Sequence, residues 1–599
     1  MRSLRSVLLA LGLLTLWPSV SSAQLGTLGH DGPATPEQIS MYLPVTGTLS
    51  ATQGVVRYRP TGSATWEIAH PIYRIRPAYT GIAVPDAFAG VITGLTPGTE
   101  YTVEVTIDVN GTSASRTLTA TTRALPSPSG TPNKTIAAGS TEAQIQAVFD
   151  GLVPGDVVQL ANGTYSTNNL HLDRSGTDSQ PIVIRGASRS GVVIRDPTGI
   201  VMRIWNASNV ILEDLTLEGS MVDSGTNASA EGIRFWDGWS HRRLTARRLT
   251  VRGVDKGVAS EHALEQILIY DCSFTGNNAW AQNFLETNMS WNDDGIRIPG
   301  AGNVAFNNTM AGFGDVFAVV DGVTNVGIHF YRNDVRFTCD DAFEGDYGHR
   351  NLTFYDNRIQ NSMTLTSFDP LHGGPAYVFR NISINTGRSP FKFNSRNSGH
   401  FIYNNTIVRT FGAPGAQYEW AWVQFNNGDQ RAWAYRNNVL IGHAQHKLLA
   451  MEASGQNPID FTNNAWFPSG PIWWSTSGGN GNTPAEAYAN LPATQPVFSA
   501  STRRHESDRV TQQSPFVVPI TLGANYLTQI TASYTPTPAP GTALKGGGAA
   551  IPGITDGHSG SAPDMGAVIA GRPVPIYGDR SGLAGDAVPP NTTSDLTPR

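Results

Sequence analysis

The chain has 599 residues, 41 basic against 47 acidic for a formal net charge of −6, with 63 glycines, 38 prolines and two cysteines. That length exceeds one ordinary domain and can bury a large core. The mild negative balance argues against nucleic acid as a partner, and past the N-terminus no apolar run reaches the ~20 residues that cross a bilayer, which argues against membrane insertion.

Residues 1–23 carry Arg2 and Arg5, an apolar run from Val7 to Leu16, and Ser21-Ser22-Ala23 ahead of Gln24. This is the pattern of a secretory signal peptide, so the protein is expected to be periplasmic or secreted. Residues 33–122 contain VRYRPTGSATWEIA, AGVITGLTPGTEYTVEVTIDVNG and SRTLTATTR, short alternating strands separated by Gly, Pro and Asn turns. The segment resembles a fibronectin type III domain through Trp66 and the Leu95-Thr96-Pro97-Gly98-Thr99-Glu100-Tyr101 corner, where the resemblance implies a bonded Tyr101 hydroxyl. Such a module is expected to act as a spacer. A Pro/Ser/Gly linker follows at 124–133.

The next segment, 134–480, repeats itself. An aromatic, any residue, then asparagine recurs at Phe306-Asn307-Asn308, Tyr331-Arg332-Asn333, Tyr355-Asp356-Asn357, Phe379-Arg380-Asn381, Tyr403-Asn404-Asn405, Tyr435-Arg436-Asn437 and Phe461-Thr462-Asn463, with asparagine steps of 25, 24, 24, 24, 32 and 26. A fixed period in that range marks a solenoid. Its β-branched and aromatic alternation, without regular leucines, points to a parallel β-helix. Strand alternation puts the aromatics inside, with the asparagine amides bonding from coil to coil and Cys272 taking the asparagine place one step earlier. Cys272 and Cys339 sit too far apart on this ladder for a bridge, so two buried thiols are expected.

Thr141 to Phe149 reads as an amphipathic helix that plugs the first coil. The surrounding segment resembles the opening of right-handed parallel β-helix polysaccharide lyases of the chondroitinase B and alginate lyase type, through Pro154-Gly155-Asp156, Asn162-Gly163-Thr164-Tyr165 and Gly176-Thr177. The resemblance implies an all-β fold, a right-handed parallel β-helix of about 24 residues per coil behind the fibronectin-like sandwich. Residues 481–579 are expected to close the β-helix, and 580–599 to form a disordered tail.

Aligning coils on the asparagines stacks three acidic stretches: Asp293-Asp294-Gly295, Gly314-Asp315, and Asp340-Asp341-Ala342-Phe343-Glu344-Gly345-Asp346. Two coils on comes Arg388-Ser389-Pro390-Phe391-Lys392. With the phenylalanines inside, Arg297, Glu344 and Lys392 should share one outward face. Carboxylates this dense repel unless they hold a metal, pair with bases or share protons. Longer steps between repeats bring Trp280 and Trp291, and Trp420 and Trp422, as platforms for sugar rings.

Two reactions fit such a strip. A lyase removes a proton beside a uronate carboxylate and needs a cation and a base. Calcium on Asp340, Asp341, Glu344 and Asp346, with Lys392 or His372 as base, Arg388 and Arg297 meeting substrate carboxylates, and Asp294 and Asp315 lining the groove, would supply it. A hydrolase needs two carboxylates, and Asp340-Asp341 resembles the paired aspartates of polygalacturonases, although their Gly-His-Gly is missing. The expected protein is therefore a polysaccharide-degrading enzyme acting as a monomer, a lyase first and a hydrolase second. A glycan-binding or adhesion protein is the third reading.

Overall fold

The computed structural model describes residues 23–582 apart from 76–83, 128, 221–229, 237, 239, 279–292, 396, 410–420, 427–429, 432, 443–446, 452–458, 468–471, 474–479, 482–502, 505–507 and 524–527. Most of the expected signal and tail thus lies outside the described residues.

Strands from Gln24–Leu25 to Thr112–Thr121 pair antiparallel. Along Glu100–Val109 the alternate residues Tyr101, Val103, Val105 and Ile107 are buried, in one cluster with Met41, Val56 and Phe88. The Tyr101 hydroxyl accepts from the Thr96 N–H at 3.0 Å, the corner bond expected of it. Trp66 does not enter this core. It lies in the link between Gln53–Pro60 and Glu67–Ile68, half-buried, with the Arg57 and Arg59 guanidinium carbons 4.5 and 4.4 Å from its ring centroid.

From Lys134 onward the strands of the two large sheets pair in parallel with those of the next coil. One sheet has 14 strands, from Lys134–Ile136 to Arg503–Arg504, and a second has 22, many coils giving it two. This is a parallel β-helix. Its interior is lined by residues such as Ala305, Phe330, Phe354, Val378 and Ile402. The helix Glu142–Asp150, capped by a reciprocal Thr141–Gln144 box, turns Ile145 and Phe149 into the open end of that core.

The asparagine ladder is continuous: each Nδ2 donates to the next Oδ1 at 3.0–3.1 Å from Asn308 through Asn333, Asn357, Asn381 and Asn405. Cys272 heads it, its N–H donating to Asn308 Oδ1 at 3.1 Å. The later rungs are Asn438 and Asn464, one residue past the expected Asn437 and Asn463, and Asp508 ends the run. Both cysteines are buried free thiols.

The aromatics of the repeat are on the other side of the wall from the one expected. Between each aromatic and its asparagine sits a residue at positive φ, among them Arg332 at +56°, Asp356 at +52° and Arg380 at +53°. The chain therefore turns a corner there, and strand alternation does not carry across it. The asparagine faces inward while Tyr270, Phe306, Tyr331, Tyr355 and Phe379 stack on the outer surface, centroids 4.6–5.1 Å apart and planes within 12°. Tyr435, by contrast, joins the interior cluster.

That outer stack is covered by the N-terminal unit, which is docked rather than tethered. Tyr73 stacks on Phe401 at 4.0 Å, His70 packs against Tyr377 and Tyr403, and Gln38 donates to the Tyr355 hydroxyl at 2.6 Å. Arg332 pairs with Glu37, and Arg350 with Asp31 at 2.8 Å. The expected linker is pinned as well, since Arg247 donates to the Pro126 and Ser127 carbonyls at 2.9 and 3.1 Å. A C-terminal strap runs back along the coils: Asn463 bonds Gly547, Asn437 bonds Ala549, Arg380 bonds Ile554 and Asn307 bonds Ile576. Arg580, at the head of the expected tail, is held by Asp271 at 2.7 Å.

Candidate functional site

The 22-stranded sheet places the acidic residues. Asp294–Arg297, Asp315–Ala318, Asp334–Glu344, Arg358–Phe368 and Phe391–Asn394 lie side by side, with Ile296, Phe317, Phe343, Phe391 and Phe393 turned inward. Alternation then sends their neighbours out. Arg297, Ala318, Glu344, Ser367 and Lys392 stand in one register column. The expectation that Arg297, Glu344 and Lys392 share a face holds, with the small Ala318 and Ser367 between them.

The adjacent column holds Asp294 opposite Asp315, and Asp315 Oδ1 accepts from the Asp341 N–H at 2.9 Å. Lys392 Nζ reaches back across one coil to Asp341 Oδ2 at 2.7 Å and lies 3.7 Å from Asp340 Oδ1. Arg297 pairs with Asp294 at 2.9 Å and with Glu261. Oxygens of Asp294, Asp315 and Glu344 lie within 4.8 Å of one another, as do oxygens of Asp315, Asp340 and Asp341. Asp315 and Asp341 are each 1% exposed, and Asp315 Oδ2 and Asp341 Oδ1 are buried without a hydrogen-bond partner. Burying a carboxylate oxygen without a partner is costlier than burying an unpartnered neutral group.

Electrostatics agree. Burial, then Glu344, Asp340 and Asp341, hold the Asp315 carboxyl far above the usual carboxylate range. Burial raises Asp341 to about 7 against the pull of Lys392, and raises Glu344 strongly with help from Asp346 and Asp294. Asp340, Asp341 and Asp346 hold the Lys392 ammonium firmly protonated despite burial.

The expected calcium set is redistributed by this geometry. Asp346, raised to about 6 chiefly by burial, accepts from Ser367 Oγ at 2.8 Å and belongs to neither oxygen group. Asp294 and Asp315, expected to line the groove, belong instead to the carboxylate groups. His372 is packed beside His349, centroids 5.2 Å apart, and the charge that acts on it is Asp321. Arg388 lies half-buried on the turn before Phe391, its N–H bonded to the Met363 carbonyl. Trp422 is 3% exposed in the interior cluster, because it lies on the strand Ala421–Asn426 and not on the preceding loop. Trp280, Trp291 and Trp420 lie outside the described residues.

The same columns extend to residues that the repeat signature did not reach. Arg234 and Ala259 precede Arg297 in register, and Glu231 stands opposite Lys256. The aromatic-x-asparagine signature begins only at Phe306, so nothing in the sequence aligned these coils.

No protein-family model matches the chain, and no curated protein matches it. Among solved structures it is similar to an alginate lyase from Paenibacillus sp. str. FPU-7, at 16% identity and a TM-score of 0.34, covering 55% of this chain and 99% of that one. A PL6 family polysaccharide lyase from Pseudopedobacter saltans gives 12% identity and 0.37 over 67% and 100% of the two chains. A mannuronic acid specific family 6 lyase from human gut microbiota gives 14% and 0.32 over 55% and 79%. At these scores the likeness carries no functional argument.

Proposed function

We propose that this protein is an exported polysaccharide-degrading enzyme, a lyase that cleaves a uronate-containing polymer by β-elimination. The observation that carries the reading is the buried, partnerless pair of oxygens on Asp315 and Asp341, set among six carboxylates with a single lysine reaching in. A glycan-binding surface has no use for charge desolvated at such cost.

The donor set is all carboxylate oxygen, which suits a hard divalent cation such as calcium, and Asp294, Asp315 and Glu344 would hold it. When bound, the cation would neutralise the substrate carboxylate and the negative charge that grows as the adjacent proton leaves. Asp341 holds the Lys392 ammonium in position at 2.7 Å, where it would give its proton to the leaving glycosidic oxygen, while the proton beside the uronate carboxylate would pass to Asp341, whose carboxyl is raised to about 7. Arg297, fixed by Asp294 and Glu261, and Arg388 meet neighbouring carboxylates of the polymer.

A second reading has its own observation. Asp315 and Asp341 place carboxylate oxygens within 4.8 Å of each other, near the short separation of retaining glycosidases. Asp315, held protonated, would be the acid and Asp341 the nucleophile. The test is to incubate the full chain with uronate and neutral polysaccharides, with calcium or chelator, following ultraviolet absorbance of unsaturated uronyl ends beside total reducing ends. Absorbance and reducing ends rising together support the lyase. Reducing ends without absorbance overturn it in favour of the hydrolase, and silence in both across the panel overturns the enzyme reading.

A further inference from the structure

Away from the acidic strip, a cleft of about 1290 Å³ opens between the N-terminal unit, the segment that links it to the coils, and the first coils of the 14-stranded sheet. Its floor is one register column, Val157, Val183, Ile211 and Thr245, which continues to Leu268 and Val304. From Leu268 onward that column belongs to the apolar cluster that includes Val91 and Tyr73 of the N-terminal unit. Over the first coils the same unit stands off and leaves the space open.

Two guanidiniums face one another across Gln266 there. Arg123 donates to the Gln266 carbonyl at 2.5 Å and to Thr245 Oγ1 at 3.4 Å, and Arg243 donates to Gln266 Oε1 at 2.8 Å. Arg243 pairs with Asp178, which Arg242 also approaches at 3.7 Å. Among the described residues no carboxylate lies within ion-pair distance of Arg123, while Arg242 and Arg243 share Asp178. Arg123 is also held below its ordinary range by burial and by Arg243, against the pull of Tyr270 and Asp178.

From the cleft, its apolar floor and this unpaired cation, we propose a second binding site, one that takes an anionic oligosaccharide and seats a carboxylate between Arg123 and Arg243. The floor offers aliphatic surface at the ~4.8 Å spacing of adjacent coils for the faces of successive rings. Thr121, Gln180 and Asn209 on the walls offer partners for hydroxyl groups. The volume exceeds the ~300–1,000 Å³ of an ordinary small-molecule pocket, which leaves room for several rings. The choice of an acidic sugar as ligand rests on the lyase reading. The site itself does not.

Calorimetry on the full chain would use hexamers of galacturonate, mannuronate and glucuronate type, with a neutral xylo-hexamer as control. Arg123→Ala should weaken an acidic hexamer at this site at least tenfold, Arg123→Lys should restore part of the loss, and added salt should weaken the wild type. Ultraviolet product formed from short oligosaccharides should stay within twofold of wild type in both variants. Equal acidic binding in wild type, Arg123→Ala and Arg243→Ala overturns the proposal, as does equal affinity for the neutral hexamer. A lower melting temperature with unchanged binding reduces Arg123 to a strut and overturns it too. Arg123-dependent binding without turnover on any polymer would keep this site and sink the lyase reading.

Discussion

The outer aromatic face and the acidic columns are built from the same coils and obey opposite rules. On the first, the charges are paired: rings stack coil on coil, Arg332 and Arg350 meet Glu37 and Asp31, and His70 sits neutral against Tyr377 and Tyr403, leaving neutral groups such as the Tyr331 and Tyr377 hydroxyls without a hydrogen bond. On the second, six carboxylates have Lys392 and Arg297 for counter-charge, and buried oxygens of Asp294, Asp315, Asp340 and Asp341 have no hydrogen-bond partner. What the acidic columns leave wanting is charge, and burying unpaired carboxylates costs far more than burying an unpaired hydroxyl.

The sharpest way to break this contrast is at Lys392. Lys392→Ala should lower turnover by about a hundredfold or more, as removal of a proton-transfer group does, while the coil stays folded. Turnover within tenfold of wild type would remove Lys392 from the chemistry. Next in size is a rung of the satisfied side. Asn357 accepts from the Asn333 N–H and amide and donates to Asn381 and the Phe330 carbonyl. Asn357→Ala strands several buried groups at once and should cost about 4 kcal/mol, with thermal unfolding equally lowered with or without calcium.

How much of this was legible follows from the same contrast. The ladder, the cap at Thr141 and the shared face of Arg297, Glu344 and Lys392 were readable because each depends on period and alternation alone. The side taken by the aromatics was not, since one positive-φ residue such as Arg332 resets the alternation. The slip to Asn438 and Asn464 arises where the step lengthens to 33 residues and one more residue joins the turn. Nor could the sequence separate Asp315 from an ordinary turn aspartate, because that distinction lies in the unpartnered oxygen. The docking of the N-terminal unit depends on scattered residues, Asp31, Glu37, His70 and Tyr73, that no repeat announces.

The two regions should also differ in the sign of their response to pH. Burial holds His70, and likewise His329 and His400, at about 3 against an ordinary 6.5. The unfolded chain then binds more protons between those values, so their contribution is whole above 6.5 and is lost as pH falls toward 3. For His70 alone the full loss is on the order of 5 kcal/mol. Denaturant melts of wild type and His70→Phe between pH 7 and 4 check it, the variant being expected to show a shallower acid slope. Parallel slopes would mean that His70 takes up its proton without leaving the interface.

The acidic side should run the other way. Asp341 is raised from 3.8 to about 7, so the folded chain holds the extra proton between those values, and stability without a cation declines as pH rises through 7. Asp315 stands at the crossing of both oxygen groups and is held protonated there, at a free-energy cost at pH 7 that an amide does not carry. Asp315→Asn in chelator should therefore raise stability by about 1 kcal/mol at pH 7. Calcium should raise the melting temperature of wild type and leave that of Asp315→Asn unmoved, because the variant has lost the ionisable carboxylate of the residue that both groups share. If chelator and calcium give wild type the same melting curve, the carboxylates share protons rather than a metal. The site is then the acid pair of a hydrolase, and the contrast between the two faces becomes one of protonation alone.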